Sequence, residues 1–139
     1  MQISTRYSIA IHILTCIVIY EDKNKITSDY LAESIQVNPV IIRKILQQLK
    51  SANIVKVNRG TGGAHLLKKA KDISMYEVYM AVSCIKKEGL FNLHDNPNPE
   101  CPVGKNIKNT LDEKFYQIQK VMEDKMKSIS LKDIVDDII

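Results

Sequence analysis

The segment from Ile26 to Leu67 limits the possible folds of this chain more strongly than any other stretch of it. Its residue pattern predicts two short helices joined by a turn and followed by a β-hairpin with a glycine-rich tip. Asn38 and Pro39 mark the start of the second helix. The asparagine side chain can accept hydrogen bonds from unpaired backbone amides, and proline at the first helical position loses none. This order of elements outlines a winged helix-turn-helix.

All the charged residues in the same part of the chain are basic. Between Ser34 and Lys71 there is no acidic residue. The eight basic residues of this span are Arg43, Lys44, Lys50, Lys56, Arg59, Lys68, Lys69 and Lys71. Because a surface of one charge favours a polyanion as partner, the location of the charge matters more than the modest net charge of +4.

The N-terminal stretch from Tyr7 to Tyr20 is apolar on nearly every helical face. It is too short to span a bilayer and lacks a small-residue cleavage site, so we expect a buried helix and not an anchor or a leader peptide. Three cysteines, an odd number, do not indicate a disulfide framework. These features predict a cytoplasmic protein.

Capping residues and apolar spacing predict the elements around the turn. Ser4 or Thr5 caps the first helix, and Thr27 or Ser28 caps the second. Gln36 and Val37 make the turn. The apolar residues of the third helix that are available to the core are Val40, Ile41, Ile42, Ile45, Leu46 and Leu49.

The hairpin and the helix after it follow from alternation and from a capping box. Strands are predicted over Ile54–Asn58 and Ala64–Lys68, and the glycines between them supply the dihedral angles of a tight tip. Ser74 and Glu77 form a capping-box pattern that opens another helix. The buried positions expected on that helix are Met75, Val78, Tyr79, Val82 and Ile85.

The C-terminal third combines a long loop with a long helix. The loop from Lys86 to Pro102 is rich in proline and asparagine and also contains Gly89 and Asp95, and we expect it to be mobile. Apolar residues then recur by threes and fours from Val103 to Ile129, which predicts a helix of about 27 residues. A single apolar stripe of that length needs a partner helix and predicts a homodimer. Ser130 caps a last short helix.

The predicted fold is therefore mainly α with a small β-hairpin wing, a winged helix-turn-helix plus a long dimerisation helix. The predicted organisation is a DNA-binding domain over residues 1–85, a sensor loop over 86–103, and the dimerisation helix with the C-terminal short helix over 104–139.

In a helix-turn-helix the second helix lies in the DNA major groove and the first braces it across the backbone. Arg43 has the fork geometry that suits guanine, Gln47 suits adenine, and Arg59 at the wing tip suits a narrow minor groove. The expected DNA-contacting residues are Thr27, Ser28, Asn38, Val40, Arg43, Lys44, Gln47, Arg59, Gly60, Thr61, Gly62, Gly63 and His65. On a two-fold dimer they predict a palindromic operator.

These residues resemble the Rrf-two-type family of bacterial transcription regulators, which includes the iron-sulfur cluster regulator, the nitric-oxide-sensing repressor and the cysteine-metabolism repressor. The resemblance runs through STRYSIAIHIL, LAESIQVNPVIIRKILQQLKSANIVKVNRGTGGAHLL, ISMYEVYMAV and SISLKDIV, and RGTGG in the wing is its most specific part. It implies that Lys105–Ser128 is the dimerisation helix and that Arg43 reads the groove, with Asn38 as the preceding polar contact. It also implies that Arg59 is the minor-groove arginine of a homodimeric repressor.

The sensor loop departs from the relatives that hold a cluster. They place three closely spaced cysteines before the dimerisation helix, whereas this loop has only Cys101, with Cys84 earlier and Cys16 in the first helix. Cysteine ligation of a cluster normally needs four sulfurs, or three with one other ligand. We therefore predict no iron-sulfur cluster, no other cofactor and no metal.

Cys101 is the candidate sensor in place of a cluster. It precedes Pro102 at the expected start of the long helix, where the helix dipole favours a reactive thiolate. One hypothesis is that oxidation of Cys101, by pairing with Cys84 or with a thiol of the other subunit, weakens operator binding. A small effector and an inert Cys101 are the alternatives. Cys16 is expected in the core.

Two other functions fit parts of the sequence. An enzyme would use Cys101 as nucleophile and His94 or His65 as base, but no paired acid orients a histidine, and no phosphate loop or metal-ligand cluster is present. We therefore predict that the chain is not an enzyme. A winged-helix module that binds protein or RNA is the second alternative.

Overall fold

A computed structural model describes residues 3–58, 62–82 and 89–139. Within these ranges the chain is mostly helical and has one two-stranded antiparallel sheet. The elements in chain order are α1 (Thr5–Tyr20), α2 (Ser28–Ile35), α3 (Pro39–Ser51), β1 (Val55–Asn58), β2 (Gly63–Leu66), a 3-10 turn (Ala70–Asp72), α4 (Met75–Val82), α5 (Pro102–Ser128) and α6 (Leu131–Ile138). None of the described helices is both long enough and apolar enough to cross a membrane.

Side-chain caps fix the start of the first three helices. Ser4 Oγ accepts from the Arg6 amide at 3.2 Å, and Thr27 Oγ1 accepts from the Tyr30 amide at 3.1 Å. Asn38 Oδ1 accepts from the amide of Val40 at 2.8 Å. Each cap satisfies a backbone donor that the helix itself cannot pair. These contacts confirm Asn38 as a cap and select Ser4 and Thr27 from the predicted alternatives.

One core joins α1, α3 and α4. Ile13, Leu14 and Ile17 of α1 are completely buried, as are Ile45 and Leu49 of α3. Each helix therefore contributes a stripe of apolar side chains at helical spacing. The buried positions predicted for α4 are confirmed at Met75, Val78, Tyr79 and Val82, whereas Ile85 lies outside the described residues.

Two predicted core positions of α3 are wrong. Val40 is 46% exposed and Ile41 is 39% exposed. Val40 lies two residues before the buried Ile42 and so projects from the opposite side of the helix. Ile41 belongs to the first helical turn, at the edge of the core.

The C-terminal helix α6 packs into the same core as α1. Leu131 is completely buried and belongs to the core cluster. Two backbone bonds hold the start of α6 against the start of α4, with the amide of Met75 donating to Ile129 and the amide of Leu131 donating to Ile73, both at 2.8 Å. Ser130 caps α6, and the Asp133 carboxylate accepts from the Ser130 amide at 2.9 Å. The domain boundaries stay a prediction, but α6 shares its core with the winged helix.

The long helix α5 is the least covered element. It has 27 residues, as predicted, and none of them is buried. It contacts α4, and Met126 packs against the core from its last turns. The described part of the preceding loop lies along the helix, with the Phe91 and Phe115 rings stacked at 4.6 Å and the Leu90 amide donating to Gln119 at 3.0 Å.

Candidate nucleic-acid interface

The turn between α2 and α3 sets the position of the helix that carries the predicted base contacts. Gln36 ends α2 in the left-handed backbone conformation, with φ 61°, and its amide donates to the carbonyl of Ala32 at 2.8 Å. Asn38 then caps α3. The chain thus changes direction within three residues, which confirms the predicted turn and the helix-turn-helix.

The outer face of α3 is one polar and basic stripe. Val40, Arg43, Lys44 and Gln47 are all exposed. Their spacing places them on one side of the helix, because residues three, four and seven apart share a face. The buried residues on the opposite side are Ile42, Ile45, Leu46 and Leu49. Four predicted DNA-contacting residues therefore lie together on a single solvent-facing surface, which we call the α3 stripe.

Three exposed cations, two on the α3 stripe and one on β1, have no acidic partner among residues 3–58, 62–82 and 89–139. The salt bridges of these residues do not include Arg43, Lys44 or Lys56. Lys56 was not among the predicted contacts, although it is exposed on β1. Its place on a strand directly after buried Val55 predicts that its side chain lies on the opposite, outer face. Cations without internal partners are available to a phosphate backbone.

Two of the predicted DNA-contacting residues, Thr27 and Asn38, also stabilise the fold because each caps the start of a helix. Thr27 is half-buried and uses its hydroxyl oxygen to cap α2, while the neighbouring Ser28 is also half-buried. Asn38 is exposed and uses Oδ1 to cap α3, so its Nδ2 group is the donor that remains for a base or a phosphate. Their contacts with DNA stay predictions.

The wing is a short antiparallel hairpin in which residues pair from Val55 with Leu66 to Asn58 with Gly63. Gly63 has φ 72°, and a Cβ there would lie 2.8 Å from the backbone nitrogen of Ile26. The amide of Ala64 donates to the carbonyl of Ile26 at 2.9 Å. Gly63 therefore lets β2 approach the segment before α2. The predicted contacts Arg59, Gly60 and Thr61, like Cys84, lie outside the described residues.

His65 of β2 contacts the protein through both ring nitrogens. Nε2 lies 3.0 Å from the carbonyl oxygen of Gly62, and Nδ1 lies 3.5 Å from Oε2 of Glu21. Glu21 is the C-cap of α1 and is far from His65 in the sequence, so no local pattern predicts this contact. Lys68, beyond β2, is paired with Glu77 at 2.6 Å.

The two described cysteines are not bonded to each other. Cys16 is 4% exposed, as predicted for a core residue, and its Sγ lies 3.5 Å from Ser34 Oγ. Cys101 is half-buried and is the N-cap of α5, without a side-chain capping bond.

A family model described as "Iron-dependent Transcriptional regulator", named Rrf2, matches residues 3–137. Among the residues that the structure describes, no three His, Cys, Asp or Glu side chains are grouped so that they could hold a metal ion. Cys101 is the only described cysteine in the loop before α5. The described donors therefore do not fit an iron centre, and the absence of a cluster stays a prediction.

Similar proteins cover almost the entire chain. A Bacillus subtilis protein, YwnA, whose name describes it as an HTH-type transcriptional regulator, is 46% identical over 134 residues, which are 96% of this chain and 97% of YwnA.

Two solved structures extend the comparison. A crystal structure titled as a DNA binding protein is 41% identical, with a TM-score of 0.73, and the match covers 93% of this chain and 97% of that one. CymR of B. subtilis, titled the global cysteine regulator, has the same fold with a TM-score of 0.72, 18% identity, and coverage of 98% and 97%. From the family model and YwnA it follows that the chain belongs to the Rrf2 family of transcriptional regulators.

Proposed function

We propose that the protein binds duplex DNA as a homodimer and represses transcription from a palindromic operator. The observation that carries the proposal is the α3 stripe, an exposed basic face on the second helix of a helix-turn-helix, with no acidic partner in the described residues. That helix is the one that enters the major groove in proteins with this motif. Because DNA is its target, we expect the regulator in the cytoplasm.

The homodimer is supported by the surface of α5. Val103 is 67% exposed, Ile118 is 54% exposed and Val121 is 69% exposed. Large apolar side chains that repeat along a helix and remain exposed in one chain favour a second helix as partner. Two copies related by a two-fold axis would present two α3 stripes, which predicts half-sites a whole number of DNA turns apart.

Genomic footprinting of the bound sites followed by titration of one recovered duplex tests this function. We expect protection of an inverted repeat, and an affinity that falls steeply as salt rises, because phosphate contacts release counterions. A structured RNA and a non-operator duplex of equal length are the competitors. Preference for RNA, or binding that does not depend on salt, would contradict the proposal and favour an RNA- or protein-binding module. The family is one of transcriptional regulators, so the enzyme alternative is set aside.

The proposed signal is oxidation of Cys101. Its position at the start of α5 connects its chemistry with the proposed dimer helix, and the thiol is partly accessible. With mild oxidant, we expect the operator affinity of the wild type to fall and that of Cys101→Ser to stay constant. Cys84→Ser shows whether these two thiols pair. An equal response of wild type and Cys101→Ser would remove Cys101 from the signal and leave a small effector as the alternative.

A further inference from the structure

We propose that a cleft between α1, α2 and α6 binds a small, uncharged aromatic molecule that carries one hydroxyl group. We call it the α6 cleft. Its volume is about 350 Å³, which lies within the range of small-molecule sites, about 300 to 1,000 Å³. The described residues that line it are Ser8, Ile11, His12, Thr15, Cys16, Ile19, Tyr20, Ser34, Ile134 and Ile138. The inference goes beyond the proposed function, because no residue of the α3 stripe lines the cleft.

The walls of the α6 cleft are mainly apolar. The lining isoleucines come from α1 and α6 and are Ile11, Ile19, Ile134 and Ile138. Tyr20 adds an aromatic ring, which packs edge-on against the Tyr30 ring with the two centroids 6.4 Å apart. Branched apolar side chains and an aromatic wall stabilise a bound ring through burial and through ring contacts. The walls therefore favour an aromatic ring as the body of the ligand.

The charge of the lining restricts the ligand further. No Asp, Glu, Lys or Arg is among the described residues that line the α6 cleft. The larger cleft beside α5 differs, because Asp112, Lys120 and Glu123 line it. A charged group that leaves water needs a partner of opposite charge, and its burial without one is strongly unfavourable. The α6 cleft therefore favours an uncharged ligand.

Cys16, Ser34 and His12 form a chain of polar contacts on one side of the cleft. Cys16 Sγ lies 3.5 Å from Ser34 Oγ, and Ser34 Oγ lies 3.3 Å from His12 Nε2. Cys16 is only 4% exposed, whereas His12 is exposed. The chain thus runs from the core to an accessible imidazole, and Ser34 of α2 holds that imidazole in place.

His12 also has a second ring nitrogen, Nδ1, which has no hydrogen-bond partner within the described residues. The hydroxyls of Ser8 and Thr15 are less available, because they donate to the carbonyls of Thr5 at 2.9 Å and Ile11 at 2.7 Å. An imidazole nitrogen donates in one tautomer and accepts in the other, and a hydroxyl group can do either. A ligand hydroxyl can therefore pair with His12 in both tautomers.

Methyl NMR of the full-length protein, labelled at the isoleucine δ1 carbons, tests the site with para-cresol as the probe. We expect saturable shifts at the lining isoleucines and none at Ile42 and Ile45, which are completely buried residues of α3. The dissociation constant should be on the order of 1 mM or lower for so small a molecule. Toluene, the same ring without the hydroxyl, should bind about three- to tenfold more weakly, which corresponds to one lost hydrogen bond.

Three variants locate the contacts. His12→Leu should bind para-cresol and toluene equally, because the imidazole is lost and the apolar walls remain. His94→Leu removes an exposed histidine that does not line the cleft and should keep the wild-type preference. Ser34→Phe places a ring in the cleft and should abolish the shifts with both probes. Unchanged methyl signals of Ile42 and Ile45 before addition of the probe show that each variant is folded.

Two results would overturn the proposal. If the lining isoleucines of wild type show no saturable shifts, the cleft is not a small-molecule site, and a second copy of the chain that covers it would give this result. If His12→Leu keeps the preference for para-cresol, His12 is not the partner of the ligand hydroxyl. No DNA is present in these measurements, so failure of the site leaves the proposed function intact.

Discussion

At the scale of single residues, the proposed DNA-reading surface consists of side chains that have no acidic partner among the described residues. Arg43 is exposed on α3 and, within the described residues, forms no salt bridge. A planar guanidinium can donate two parallel hydrogen bonds to the O6 and N7 acceptors of guanine, which lysine cannot reproduce. A base contact at this position should therefore be strong and selective.

Replacing Arg43 by alanine should weaken operator binding by about 1 to 3 kcal/mol and relax selectivity at one base pair. The thermal midpoint should not change, because the side chain is exposed. Fluorescence anisotropy on the operator and on single-base variants measures both effects. Lys125→Ala, an exposed lysine outside the basic span, is the control and should bind like wild type. Equal losses on operator and random DNA would show that Arg43 contacts only phosphate.

Gly63 is the residue at which the wing depends on the absence of a side chain. Its φ of 72° is unfavourable for other residues, and an added Cβ would meet the backbone of Ile26. Gly63→Ala should lower the free energy of unfolding by about 1 to 3 kcal/mol, the usual cost of such strain. Urea denaturation measures it, with exposed Lys56→Ala as a matched wing variant that should keep its stability. A fully stable Gly63→Ala would mean that β2 can move away from Ile26.

At the scale of elements, the hydroxyl of Tyr7 joins the first helix to the fourth. It donates to the carbonyl of Met75 at 2.7 Å, close to the backbone bonds that hold the start of α6. Burial, together with the nearby Tyr79 hydroxyl, raises the pKa of Tyr7 from 10.0 to about 12. Three helices therefore meet around one phenol.

Tyr7→Phe should cost about 0.5 to 1.5 kcal/mol at neutral pH, because the Met75 carbonyl loses its donor. A folded pKa above the unfolded value means that the Tyr7 contribution is fully present below pH 10.0 and is lost as pH rises towards about 12. Wild type should thus lose more stability than Tyr7→Phe over this interval. Urea denaturation at several alkaline pH values measures the difference, with the exposed Tyr116→Phe as the control. Parallel curves for wild type and Tyr7→Phe would contradict the assignment.

The sequence predicted the helix starts because the causes are local. The adjacent residues Asn38 and Pro39 are enough to predict the start of α3. The α3 stripe follows from the three- and four-residue spacing of its members alone. The predictions for Val40 and Ile41 were wrong because both residues belong to the first turn of α3. That turn lies at the edge of the core, so its apolar side chains remain exposed. The contact between His65 and Glu21 could not be predicted, because it depends on how β2 packs against α1.

At the scale of the whole molecule, the proposed dimer requires a second chain on the exposed stripe of α5. The predicted partner surface includes Ile118, which is 54% exposed. Ile118→Glu should raise the dimer dissociation constant by about tenfold or more, because a carboxylate would be buried in an apolar contact. It should also weaken operator binding, since two half-sites are then read independently.

Sedimentation analysis over a range of concentrations measures the dimer. Gln117→Glu adds the same charge at the neighbouring residue, off the apolar stripe, and should remain dimeric. A monomeric wild type, or equal effects of the two variants, would contradict an interface on this face.

The two backbone bonds that hold the junction of α5 and α6 against the start of α4 bear on the position of α5. They fix one end of a helix about 40 Å long, and the opposite end begins at Cys101. The fixed end lies beside Ile73, which belongs to the same core cluster as the buried residues of α3. A small angular change at the fixed end corresponds to a displacement of several ångströms at Cys101, so on the proposed mechanism a chemical event at Cys101 would be linked through the length of α5 to the domain that holds α3.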